Sequence, residues 1–411
     1  MKPHTIIVIS TACAVIAVLL PSANGAHGVC RSCAIATNGG VYCWGIGGSL
    51  GDGTTTSSST PVAVVGLSGV VSIAHGDWHT CAVLSSGNVR CWGANPTGGL
   101  GDGTTTARLT PVDVIGLSGV VSVALGHCHS CALLTTGVVK CWGCNQNREL
   151  CDGSTTSRTS PVDVVGLSSN VAKIAVGGSH ACAVWSSTSV RCWGDNADGQ
   201  LGDGSTSDAV APVVVAGLSS GVAATALGSH HSCALLISGA VQCWGRNSYG
   251  QVGDGTNTRR LTPVAVVGLS NGVLNIALGE GQSCALLLTG HVSCWGQSYG
   301  LTPILLDWLG SDFVNIAMGA VHACAITAGG RVQCWGSNTN GELGSGLSSM
   351  VFAKIWLEAL SAAAATPQTP KEAWSTAQLS QARYELAAAS VGNMALFALG
   401  YTGSALVSYE C

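Results

Sequence analysis

The chain has 411 residues, 9% of them charged and 47% hydrophobic, with 57 glycines and a formal net charge of −4. So few charges with so much glycine argue against a disordered or helix-dominated chain and point to many short strands joined by turns. No basic face is present to neutralise phosphates, which excludes nucleic acid as the partner.

Residues 1–25 read as a secretory signal. Lys2 supplies the charged start, Ile6 to Leu20 is an apolar run short for a membrane span, and Ala23-Asn24-Gly25 provides the small residues a signal peptidase needs. Cleavage is expected before Ala26; the competing reading is an N-terminal membrane anchor. Export agrees with the cysteine content, because disulfides persist in oxidising compartments.

From residue 26 to 349 one pattern recurs seven times. Its first cysteine is Cys33, Cys81, Cys131, Cys182, Cys233, Cys284 or Cys324. The second follows ten residues later, at Cys43, Cys91, Cys141, Cys192, Cys243, Cys294 or Cys334, and Trp-Gly follows it each time. A hairpin with loop Thr135-Thr136-Gly137 pairs Leu133 with Val139 and Cys131 with Cys141. Facing residues of antiparallel strands lie within disulfide reach, so each pair is expected to be bridged, at about 2.8 kcal/mol per loop in the chain-entropy model. Free buried thiols or zinc ligation are the rival readings; the absence of CxxC clusters argues against zinc.

One full unit runs from Val120. Val120 to Gly126 is an apolar strand, the cysteine hairpin gives two more, and Pro161-Val162-Asp163-Val164-Val165 gives a fourth, with Pro at its start. A loop of the type Asn-x-x-Gly-x-Leu-Gly-Asp-Gly-Thr separates the last two, as at Asn196 to Ser205. Four short strands in each of seven units indicate an all-β fold, a seven-bladed β-propeller whose closure removes exposed sheet edges. The sixth unit lacks the Gly-Asp-Gly loop after Cys294-Trp295-Gly296, which lowers one rim; the notch either admits a partner or reflects drift.

The unit Gly-x-x-His-Ser-Cys-Ala-Leu…Cys-Trp-Gly-x-Asn-x-x-Gly, as at Gly228 to Gly250, resembles repeats of the regulator of chromosome condensation family over roughly residues 26–346. The resemblance implies a seven-bladed propeller. The founding nuclear member is a guanine-nucleotide exchange factor for the GTPase Ran and docks on chromatin. Other members are secreted, among them a bacterial inhibitor of β-lactamase. This chain departs from the nuclear type in its signal, its cysteine pair in every blade and its lack of a basic tail.

Residues 350–411 read as a C-terminal extension. Met350 to Leu357 suits the outer strand of the seventh blade. Thr369-Pro370-Lys371-Glu372 has capping-box spacing with Pro at the first helical position, which predicts a helix over 370–389. Phe397-Ala398-Leu399-Gly400 resembles the inner-strand motif Ile276-Ala277-Leu278-Gly279, so 394–400 is a candidate ring-closing strand. Leu386 to Val407 carries no charge, which leaves a membrane or lipid-anchor tail and a disordered end as alternatives.

His79, His129, His180, His231 and His322 each precede a first cysteine by two. Repetition at one framework position favours a structural hydrogen bond over a metal or pH-sensing ring. Asp52, Asp102, Asp152, Asp203 and Asp254 recur in Asp-Gly turns, one carboxylate per loop, too few for calcium. Trp44, Trp92, Trp142, Trp193, Trp244, Trp295 and Trp335 read as blade-core packing.

Departures from the repeat are better functional candidates. Asp77, Trp78, His127, His230 and Glu280 fall in the same variable turn of different blades and would share one face, with an exposed Trp as interface anchor; packing between blades is the alternative. Cys144 and Cys151, added to one loop, are expected to form an eighth bridge; Cys30, Cys128 and Cys411 are left unassigned, and a Cys30–Cys128 link needs blades 1 and 3 to meet. No catalytic set, metal site or cofactor motif stands out. The expectation is a monomeric, non-enzymatic protein-binding scaffold or inhibitor, secreted or at the cell surface. Nucleotide exchange, by family resemblance, is the alternative.

Overall fold

In the computed structural model the described residues are 31–346 except 37, together with the backbone of Ile355–Leu357, Ala388–Val391 and Met394–Phe397. The chain divides into two compact units, Met1–Ser361 and Ala362–Cys411. The signal at 1–25, Cys30, Cys411 and residues 370–387 of the helix expected over 370–389 lie outside the described residues.

The first unit is a seven-bladed, all-β propeller. In the second blade, Val70–His75, His79–Leu84, Val89–Gly93 and Arg108–Asp113 pair in chain order, antiparallel throughout. Blades three to seven repeat this order. The first blade shows three strands among the described residues, Arg31–Ile35, Val41–Gly45 and Ser58–Ala63. Each innermost strand faces a central channel, and its neighbour His-x-Cys-Ala-x is buried along almost its whole length. That neighbour is sandwiched between adjacent blades, which is why it reads as a continuous apolar run and not as an alternation.

The hairpin register follows the cysteine stride. Leu133 faces Val139 and Cys131 faces Cys141, and the same register joins the two cysteines in every blade. All seven pairs are disulfide-bonded and buried. The outer strand differs from its expected bounds. It spans Arg158–Asp163 and not 161–165, so Pro161 sits inside it, where a bulge between Cys141 and Gly143 interrupts the ladder. An edge strand at a bulge tolerates the missing donor.

Adjacent blades are tied by a repeated three-residue bond set. Trp142 Nε1 and Ser130 Oγ both donate to the Gly99 carbonyl of the preceding blade, at 2.8 and 2.9 Å. Since the Ser130 proton is committed there, His79 Nε2 of that preceding blade donates to Ser130 Oγ, at 2.6 Å. His180–Ser232, His231–Ser283 and His322–Ser32 repeat the bond. Burial holds His79, His129 and His231 down at about 3 and His322 at about 4, so these rings are neutral, and those of His79, His231 and His322 act as donors. The histidines are structural, as their repetition implied.

The last of these links closes the ring. Trp44 Nε1 and Ser32 Oγ reach the Glu342 carbonyl at 2.8 and 3.0 Å, and Ala34 and Trp44 join Cys324, Ile326 and Leu343 in one apolar cluster. Blade seven takes its fourth strand from Ile355–Leu357, within the segment expected to supply it. Met394–Phe397 pairs with Ala388–Val391 in a two-stranded sheet of its own.

Candidate functional site

Strand order decides what shares a face. The third strand of a blade returns to the turn that joined its first two. Ala94 N–H therefore bonds Trp78 O at 2.9 Å, Cys144 bonds Cys128 O at 3.0 Å, and Arg246 bonds His230 O at 2.9 Å. Short turns and long Gly-Asp-Gly loops thus form one face; the cysteine hairpin tips form the other. The short turns also bond each other around the channel mouth, His127 N–H to Gly178 O at 3.0 Å and Glu280 N–H to Ala320 O at 3.2 Å.

The long loops are rigid brackets. Asn95 Nδ2 donates to the Thr104 and Thr106 carbonyls, while its Oδ1 accepts Leu100 N–H. Asp102 accepts from Thr104 and pairs with Arg108 at 2.8 Å. Burial pushes the Asp102 carboxyl up, but the Thr104 and Arg108 hydrogen bonds outweigh it and hold the group below its usual range. Asp152 and Asp254 repeat this with Arg158 and Arg260. The recurring aspartates are therefore turn-formers. Among the described residues no group of three or more His, Cys, Asp or Glu is placed to hold a metal ion.

The five interface candidates do lie on the loop face, with one correction. Trp78 is 37% exposed. His230 lies 3.6 Å from Asp198, which also neighbours Arg259, and Glu280 is half-buried in the same ring of turns. Asp77, however, is buried, 1% exposed, and pairs with His127 of the next blade. Burial raises the Asp77 carboxyl; the hydrogen bond to Asp77 raises His127 in turn. Asp77 thus serves to fix His127, whose side chain is 40% exposed, and does not offer a surface of its own.

The buried cation beneath it was not anticipated. Arg31 stands at the histidine position of the first blade and is fully buried. It bonds Thr80 Oγ1, Ser49 Oγ and the carbonyls of Gly76, Asp77 and His79. The signal for it was the replacement of His by Arg in a repeated position.

The expected Cys144–Cys151 bridge is not formed. Cys144 is bonded to Cys128, with Cα atoms 5.5 Å apart, so Cys30 is not the partner of Cys128 either. Cys151 is a buried free thiol whose Sγ lies 3.3 Å from Val210 O, and burial pushes it up to about 12. The register explains this. His129 faces Gly143, so one step further along the same ladder places 128 beside 144, whereas 151 has been carried away by the loop. The bridge pins that loop to the short turn bearing His127.

In the sixth unit a tight turn, Tyr299 N–H to Gly296 O at 2.9 Å, replaces the long loop. The carbonyl that would receive Trp335 is therefore missing, and its buried Nε1 has in its place only a weak contact with the Tyr299 side chain.

Comparison with known proteins agrees with this architecture. The RCC1-like domain model matches residues 14–302, and a regulator of chromosome condensation (RCC1) repeat matches residues 313–342. The chain is similar to the E3 ubiquitin-protein ligase HERC2 of Homo sapiens, 39% identical over 132 residues, which is 31% of this chain and 3% of that protein. It is 31% identical to the ultraviolet-B receptor UVR8 of Arabidopsis thaliana over 128 residues, 30% of this chain and 29% of that one. The match thus spans only a small part of these relatives. Among solved structures, human WBSCR16 has a TM-score of 0.70 at 22% identity, covering 77% of this chain and 94% of that one. Prp20p of Saccharomyces cerevisiae, described with its binding to Gsp1p and histones, has a TM-score of 0.66 at 22% identity, covering 81% of this chain and 86% of that one.

Proposed function

Because this chain belongs to the RCC1-like family built from regulator of chromosome condensation repeats, we propose that it is a monomeric, non-enzymatic scaffold or inhibitor, exported and secreted or held at the cell surface, that grips a protein partner with its loop face. The observation carrying this is Trp78, exposed on the loop face next to Asp77, in a turn where the repeats diverge over an otherwise constant frame. An aromatic side chain on a rigid rim, with polar side chains such as His230 and Asp198 elsewhere on the same face, is the kind of anchor protein interfaces use. Eight disulfides suit an oxidising compartment. Among the described residues no helix is long and apolar enough to cross a membrane. A propeller of this family binding proteins has a parallel in Prp20p, whose structure is described with Gsp1p and histones.

The test is cross-linked capture from culture medium with the secreted protein. Trp78→Ala and His230→Ala should lose the partner, while Leu288→Ser, on the opposite face, should keep it. Capture unaffected by Trp78→Ala removes the loop face. Accelerated nucleotide release from a small GTPase would replace the proposal with exchange activity.

A further inference from the structure

The central channel is a cavity of about 370 Å³, lined by the inner strands of six blades. Val123, Leu125, Ile276, Leu278 and Met318 make most of its wall apolar. Blade two interrupts that wall. His75 and Asp77 both line the cavity, and His75 occupies the position held by Leu125, Leu227, Leu278 and Met318 in other blades. Both side chains are more than nine-tenths buried, and neither His75 Nε2 nor Asp77 Oδ1 has a hydrogen-bond partner. A buried polar atom left unpaired costs about 1–3 kcal/mol, so a framework that needed only packing would hold Leu here, as its neighbours do.

The proton on His75 can be placed. Arg31 Nε donates to Thr80 Oγ1 at 3.0 Å, and His75 Nδ1 lies 2.8 Å from the same oxygen. The Thr80 proton has no other acceptor, so it goes to Nδ1 and His75 carries its own proton on Nε2. Blade two therefore offers the cavity one N–H donor beside a carboxylate engaged by His127, while Asn275 and Asn315 on the same wall are hydrogen-bonded to each other at 2.8 Å.

We propose that the channel is a binding site for an uncharged small molecule with an apolar body and one hydroxyl or carbonyl oxygen, which accepts from His75 Nε2–H. The size is that of a ligand site, and apolar side chains share the wall with a small set of buried polar groups. Asp77 at the mouth and Glu280 nearby disfavour an anion. Asp77 is already paired, which removes the drive to bind a cation. This site is independent of the protein-binding face argued above.

Three fluorescent probes of one shape separate the outcomes: 1-pyrenemethanol, pyrene and 1-pyrenecarboxylate, titrated against the secreted, oxidised protein. Pyrenemethanol should bind about tenfold or more tighter than either of the others. His75→Leu, which installs the residue of the neighbouring blades and so preserves the fold, should erase its advantage over pyrene. His75→Gln, which keeps a donor, should retain most of it. Met318→Trp should fill the channel and weaken both probes. The proposal is overturned if pyrenemethanol binds no better than pyrene, if its advantage survives His75→Leu, if the carboxylate binds tightest, or if Met318→Trp changes nothing.

Discussion

His79 Nε2 lies 2.6 Å from Ser130 Oγ of the next blade, a bond that the Cys131 blade cannot pass on because Ala181 stands where the next serine would be. Both nitrogens of His129 are consequently buried without partners. Ala181→Ser should restore the bond, its hydroxyl donating to the Glu149 carbonyl that already receives Trp193. One recovered buried bond is worth about 1 kcal/mol, so the denaturation midpoint should rise, by roughly 2 °C on heating. Reversible chemical denaturation measures it; no gain would mean that His129 is accommodated in some other way.

The buried histidines set the acid limit. Their folded values, about 3 for His79, His129 and His231 and about 4 for His322, lie below the ordinary 6.5. The unfolded chain therefore takes up protons first as pH falls. Stability is full above about pH 6.5 and is lost toward pH 4, by up to about 1.4 kcal/mol per pH unit for each ring. His127 has the opposite sign: its value is raised, so its contribution is present below 6.5 and fades as pH rises. Since Gln282 already fills the histidine position in one blade, His231→Gln should fold and flatten the acid limb by one proton. Midpoints recorded across that range give the slope directly.

The cysteine assignment makes a third prediction. A digest without reductant should yield Cys128 linked to Cys144, with Cys151 alkylated only after denaturation. Cys144→Ser opens a loop whose closure is worth about 3 kcal/mol, and should loosen the turn carrying His127. Cys151 has a φ of 48°, where the matching Gly101 has 69°. Cys151→Gly should therefore be neutral or stabilising by about 1 kcal/mol.

Trp193 and Trp335 provide the fourth. Both are buried, yet Trp193 donates to Glu149 O at 3.0 Å, whereas Trp335 lacks a backbone acceptor and has only a weak contact with the Tyr299 side chain. Trp193→Phe should cost about 1 kcal/mol more than Trp335→Phe, read from matched denaturation curves. Equal losses would show that ring volume alone matters.

How far the sequence could be read is clear from particular residues. The Cys131–Cys141 register was legible because facing positions in a hairpin follow from counting alone. Continued three steps outward, the same count passes Gly143 and reaches Cys144 opposite Cys128, and would have found that bridge; shared loop membership of Cys144 and Cys151 was the weaker guide. Ser130 and Ser232 were not recognised as acceptors for histidine because each bond joins neighbouring blades, and local spacing does not record which element packs against which. Asp77 looked exposed because turns usually are; its burial depends on Arg31, some 46 residues earlier in the chain. The turn of Asp77 and Trp78 lies on the loop face, with Trp78 exposed as expected and Asp77 buried.

The missing loop after Gly296 has one more effect. A wheel of near-identical spokes offers a docking molecule several equivalent azimuths, each rotated by one spoke from the last. The gap at the sixth spoke and the clamped loop at the third, fixed by Cys128 and Cys144, give the wheel a zero mark. Anything that seats on the rim can then do so at a single angle.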